Sequence, residues 1–162
     1  MTTEEYNRVV DLHSDHVYRF ILKSVNNEMI AEDIVQETYE KLWMKHEDVE
    51  FIKSKSYIFS TAYHTMIDMI RREKKQENWD KVKSDDVVYE DQYDDLNEIL
   101  HKAIERLPIA QRSAILLRDY EGYAYHEIEE ITGLSESQVK VYIYRARIFL
   151  RNYLEKLEIN IT

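Results

Sequence analysis

The chain has 162 residues, with 32 Asp or Glu against 22 Lys or Arg for a formal charge of −10, and it carries two Gly, one Pro and no Cys. So few turn-formers beside abundant Leu, Ile, Glu and Lys exclude a strand-and-turn protein and predict an all-α fold. The missing cysteines exclude disulfides and thiolate metal sites, and the anionic balance excludes a surface that grips nucleic acid everywhere.

Thr2-x-x-Glu5 is a capping box that starts a helix at Thr2 or Thr3. Val9, Leu12, Val17, Phe20 and Ile21 follow as its apolar stripe, and VNNE at Val25–Glu28 ends it. The next predicted helix, Glu28–Lys45, sets Ile30, Ile34, Val35, Tyr39, Leu42 and Trp43 on one side and Asp33, Gln36, Glu37 and Glu40 on the other. A polar connection, HEDVEFIKSKS, leads to a third helix over Ser56–Lys74 that buries Ile58, Ala62, Met66 and Ile70. That helix runs into RREKK, cations suited to the negative end of a helix dipole. The first residues, MTTEEYNRVVDLH, lack the basic-then-apolar pattern of a secretion signal. No apolar run approaches the roughly 20 residues of a bilayer span. A cytoplasmic protein without membrane insertion is the expectation.

Composition then changes. Between Lys83 and Lys102 there is no Lys or Arg, while Asp85, Asp86, Glu90, Asp91, Asp94, Asp95 and Glu98 accumulate, the pattern of a solvated acidic linker. Helical periodicity resumes near Leu96 through Leu100, Ile104 and Leu107 to Pro108, and a further helix is predicted over Ala110–Glu121, stopping at Gly122. The chain therefore divides into a module over 1–76, a linker over 77–96 and a second module over 97–162.

The stretch AYHEIEEIT is a short helix with Ile128 and Ile131 facing inward, and Gly133 takes the position after its end, where positive φ is common. Ser135-x-x-Gln138 caps the next helix at once, which buries Val139, Ile143, Ala146 and Leu150. Its other side carries Ser137, Gln138, Lys140, Val141, Tyr144, Arg145 and Arg147. Short helix, glycine turn, capped longer helix is the pattern of a helix-turn-helix, whose second helix enters the major groove. The same pattern also describes a helical hairpin with a solvated basic face.

Three stretches in order decide between them: AEDIVQETYEKLW, YIFSTAYHTMIDMIRREKK, and the long run from Ala103 to Leu154. Together they resemble a bacterial RNA polymerase sigma factor of the extracytoplasmic-function (ECF) group of the sigma-70 family, over nearly the whole chain except the linker. The resemblance implies two helical domains, sigma regions two and four, and a chain that binds core RNA polymerase and directs promoter recognition without being an enzyme. It implies that Asp33, Gln36, Glu37 and Glu40 dock on the clamp coiled coil of the largest subunit. It implies that the segment around His46, Phe51, Lys53, Lys55 and Ser56 captures a flipped promoter base. Lys53, Lys55, His64, Arg71, Arg72, Lys74 and Lys75 become candidates for the downstream element, and the exposed set from Ser137 to Arg145 for the upstream one. Arg147 and Arg151 are assigned to phosphate or the polymerase flap. The family also admits an anti-sigma factor as partner, and the acidic linker is expected in the polymerase's nucleic-acid channel.

The chain departs from the family at Ser60, Tyr63 and His64, where arginine and asparagine are usual, and at Glu129, where a small alanine is usual. Two other readings remain at this stage: a helix-turn-helix regulator acting without polymerase, and a sigma-like adaptor that has lost promoter reading. Other chemistry finds little support. Glu98-x-x-His101 is one di-iron-like pair without the second it needs, and His64 and Asp68 lack a nucleophile beside them. No cofactor and no metal are expected.

Overall fold

The computed structural model describes residues 1–75 and 95–157. Seven α-helices make up the described residues, with no strand among them: α1 (Thr3–Val25), α2 (Glu28–Lys45), α3 (Ser54–Lys75), α4 (Asp95–Glu105), α5 (Ile109–Ile115), α6 (Tyr125–Thr132) and α7 (Glu136–Lys156). The acidic linker falls almost wholly outside the described residues.

The local signals act as the sequence predicts. The Thr2 hydroxyl accepts from Glu5 N–H at 3.1 Å while the Glu5 carboxylate accepts from Thr2 N–H at 2.9 Å, a reciprocal cap that starts α1. Asn26, at φ 52°, ends it in the left-handed region that asparagine tolerates. The Asn27 side chain then accepts from Ile30 N–H at 3.0 Å and starts α2 after a two-residue corner. The connection after α2 holds two 3₁₀ turns, His46–Asp48 and Phe51–Lys53, and α3 begins two residues before the predicted start.

Two apolar residues assigned to buried stripes are exposed instead. At 100° per residue, Leu12 stands about 120° from the middle of the buried face of α1, which Val9, Val17, Phe20 and Ile21 define, and it is 52% exposed. Trp43 stands about 135° from the middle of the α2 core face of Ala31, Ile34, Thr38 and Leu42, and is 45% exposed. The helix predicted over Ala110–Glu121 forms over nearly its predicted length, but α5 finishes as one π-helical turn, Leu116–Tyr120, before Gly122 at φ 79°.

The two halves share one core. Phe20, Phe59 and Met66 of the first half and Leu116, Tyr123 and Ile128 of the second belong to a single contiguous buried cluster. The rings of Phe59 and Tyr123 meet edge to face at 5.2 Å. Arg112, only 8% exposed, donates from α5 to the carbonyls of Ile104 (3.1 Å), Glu105 (2.6 Å) and Leu107 (2.9 Å) in its own half. It also donates to Ser24 at the end of α1, so one guanidinium satisfies orphan carbonyls of two helix ends in different halves. Arg19 adds a two-pronged pair to Glu121, at 2.9 and 3.1 Å. The Lys55 ammonium lies 5.0 Å from the Tyr123 ring centre.

Candidate nucleic-acid interface

Helix α7 is aimed by the turn before it. Gly133 adopts φ 77°, and its N–H closes α6 on the Glu129 carbonyl at 2.8 Å. Thr132, which the sequence does not single out, pins the corner: its hydroxyl donates to Ile128 O at 2.7 Å and accepts from Leu134 N–H at 3.2 Å. Ser135 and Gln138 complete the predicted capping box. Glu127 supplies half of another at the start of α6, accepting from Ala124 N–H at 2.9 Å. Val139, Ile143 and Ala146 are buried, so the remaining faces of α7 have a fixed rotation.

Every predicted residue of the upstream set is exposed: Ser137, Gln138, Lys140, Val141, Tyr144, Arg145 and Arg147. Their situations differ. The Gln138 side-chain oxygen accepts from Ser135 N–H in the cap at 2.9 Å, which leaves its two amide N–H donors outside that bond. Lys140 pairs with Glu136 at 2.8 Å, the contact that raises its pKa, and lies 5.9 Å from the Tyr125 ring centre. Arg147 is held by both oxygens of Asp119, at 2.7 and 3.2 Å, which raises its pKa in turn and tethers it to its own domain. Val141, 41% exposed, and Tyr144, 66% exposed, offer apolar and aromatic surface. Arg145 is exposed and makes no ion pair with a described residue.

The downstream set does not form one patch. Lys53 and Lys55 stand at the start of α3 and Arg71, Arg72, Lys74 and Lys75 at its end, about 24 Å away at 1.5 Å per residue. Between them α6 and its turn pack against α3. His64 is exposed, but its Cε1 stands 3.9 Å from where a Cβ on Gly133 would be. Tyr63, a departure from the family pattern, is 6% exposed and sits near Tyr142 of α7; burial raises its pKa. Ser60, another departure, is half-buried, as is Glu129. In the segment expected to capture a base, His46 stacks on Trp43 at 4.2 Å and the Arg8 guanidinium lies 5.9 Å from the Phe51 ring centre.

The docking set is split by the pitch of α2. Asp33 and Glu40 lie opposite its core face and are exposed. Gln36 is exposed as well and, together with Glu40, lines a cleft of about 520 Å³ with Tyr6, Tyr39, Trp43 and Met44. Met44 is 82% exposed, and this apolar surface beside the acids is a feature the sequence reading missed. Glu37, on the other flank and half-buried, faces α3 across a polar cleft.

Comparison with known proteins agrees with this geometry. Residues 9–76 match the family model of sigma-70 region 2, and residues 97–150 that of sigma-70 region 4. The chain is 33% identical to the RNA polymerase sigma factor SigV of Bacillus subtilis (strain 168) over 155 residues, 91% of this chain and 90% of SigV. It is 31% identical to the ECF RNA polymerase sigma factor SigE of Mycolicibacterium smegmatis over 93% of this chain, but spans only 62% of that longer relative. Among solved structures, the sigma factor RpoE of Bartonella quintana, in complex with the anti-sigma factor NepR, superposes with a TM-score of 0.81 at 25% identity, covering 94% of this chain and 98% of RpoE.

Proposed function

We propose, from the premise that this chain belongs to the extracytoplasmic-function group of the sigma-70 family, that it joins core RNA polymerase and directs it to promoters to start DNA-templated transcription. In this reading residues 1–76 dock on the polymerase and handle the downstream element, residues 97–162 read the upstream element, and 77–96 connect them. The polymerase carries the chemistry, so the chain itself is not an enzyme. No described helix is long and apolar enough to cross a membrane; in this reading the protein acts in the cytoplasm, where the chromosomal promoters are. An anti-sigma factor is a further partner, as one accompanies the solved relative.

The observation that carries the reading is the outward face of α7, where Lys140, Tyr144 and Arg145 stand exposed on a helix whose rotation is fixed by its cap and core. A major groove admits such a helix, and exposed guanidinium and ammonium groups there reach base edges and phosphates. The overall −10 charge fits a subunit that relies on polymerase for most of its electrostatic hold on DNA.

The experiment is reconstitution with core polymerase, followed by mapping of the transcript starts. The expected result is a stable holoenzyme that starts at a small set of related promoters. Reversing charge at Asp33 and Glu40 together should block assembly while the fold persists. Glu37 is better left alone because it faces Lys41 and α3. A chain that binds promoter DNA tightly by itself and ignores core polymerase would overturn the reading.

A further inference from the structure

Three of the cations assigned above to the downstream element meet a fourth, unassigned one, Lys41, in the cleft between α2 and α3, which gathers positive charge in an otherwise anionic chain. It measures about 420 Å³, room for about fourteen waters at roughly 30 Å³ each. Four cations line it, Lys41 from α2 and Arg71, Arg72 and Lys75 from α3, against two carboxylates, Glu37 and Asp68. The count is four minus two, or +2, and the negative end of the α3 dipole offsets about half a charge of it. An anion is favoured there, and a divalent cation is not.

Lys41 is the residue that changes the meaning of the cleft. It belongs to the helix assigned to polymerase docking, yet its ammonium donates to the buried hydroxyl of Thr65 on α3 at 2.9 Å. Glu37 stands 3.9 Å away, an ion-pair distance but beyond a hydrogen bond. An ammonium has three donors, so two remain for a ligand in the cleft. The Thr65 bond fixes the head of a side chain that would otherwise lose considerable rotamer freedom on binding. Held in place and with donors to spare, it is a phosphate contact ready before the ligand arrives.

We infer that Lys41, with Arg71, Arg72 and Lys75, clamps a backbone phosphate of the promoter duplex between the docking helix and α3. This rests on the sigma-factor reading and deepens it by adding a DNA contact from α2. A phosphate contact carries no sequence information, so its loss acts equally on all promoters.

The test measures promoter binding by the reconstituted holoenzyme, using a duplex chosen from its own transcript starts, across a series of salt concentrations. K41A is expected to weaken binding roughly tenfold, the scale of one hydrogen bond to a charged group. It should also reduce the slope of log affinity against log salt by about 1. K41R should keep the slope, and the K41A loss should be the same on duplexes with altered downstream bases. An unchanged slope with a lowered melting temperature means Lys41 only ties α2 to α3, and overturns the inference. Inorganic tripolyphosphate gives a second arm with the free chain. A tripolyphosphate-induced rise in melting temperature that K41A abolishes, with the promoter slope unchanged, means the cleft takes a free phosphate compound, and also overturns the inference. A wild-type chain that forms no holoenzyme instead sinks the function proposed above, an outcome seen before any variant is made.

Discussion

Arg112 and Arg145 are the same residue type, 33 positions apart in the same half of the chain, and the structure uses them in opposite ways. Arg112 lies in the seam between the two halves, spends its donors on four backbone carbonyls and has its pKa lowered by burial. Its charge persists regardless, since a guanidinium does not deprotonate in proteins. Arg145 stands on the outer face of α7 with its donors turned to solvent. The seam is therefore a place where charge is consumed by folding, and the outer face a place where it stays in solvent, available to a partner. A count of cations cannot tell the two apart; burial and partners can.

The largest expected effect lies in the seam. Arg112→Ala removes four hydrogen bonds and leaves buried carbonyls without a donor, so it should cost about 3–4 kcal/mol of stability in urea unfolding. Arg112→Lys should recover little, because a compact ammonium cannot span acceptors on two helix ends as the planar fork does. A loss below about 1 kcal/mol would mean the seam does not depend on this residue. Arg145→Ala should do the reverse: stability within about 0.5 kcal/mol of wild type, and holoenzyme binding weaker by about 1–3 kcal/mol on promoters with an intact upstream element. Equal losses on promoters with and without that element would reassign Arg145 to phosphate.

The contrast also marks how far the sequence could be read. The caps at Thr2 and Ser135, the asparagine corner before α2 and the positive φ of Gly133 were all legible, because each is a local bargain among residues four or fewer apart. The outer face of α7 was legible for the same reason, since its buried positions fix the opposite ones. Arg112 gave no signal. Its partner Ser24 is 88 positions away, and nothing in IAQRSAI says that its arginine turns inward. Trp43 and Met44 were hidden by a different limit: helical periodicity tells which side is buried against the chain's own core, and an apolar residue kept for another surface breaks that rule. Lys41 joined α2 to α3 by a contact that no spacing within either helix encodes.

The smallest effect tests whether the seam's charge sets its pH response. His13, half-buried on α1, has its pKa lowered first by burial, then by the positive charges of Lys55 and His16. Lys55 is the same residue that reaches the Tyr123 ring across the seam. In the unfolded chain the imidazole titrates near its ordinary value of about 6.5, so at mildly acid pH the unfolded state binds more protons than the folded one. Stability from this group is then full above about pH 6.5 and is lost as pH falls below that, through the lower folded value. The measurement is the urea midpoint of wild type and His13→Gln between pH 7.5 and 5.5, because the difference curve removes the background of the other five histidines. Wild type should lose stability more steeply than the variant on acidification, while Arg145→Ala should track wild type at every pH. Parallel curves for wild type and His13→Gln would show that the margin of the seam tolerates a charged imidazole, and that its cations are as well solvated as those on the outer face of α7.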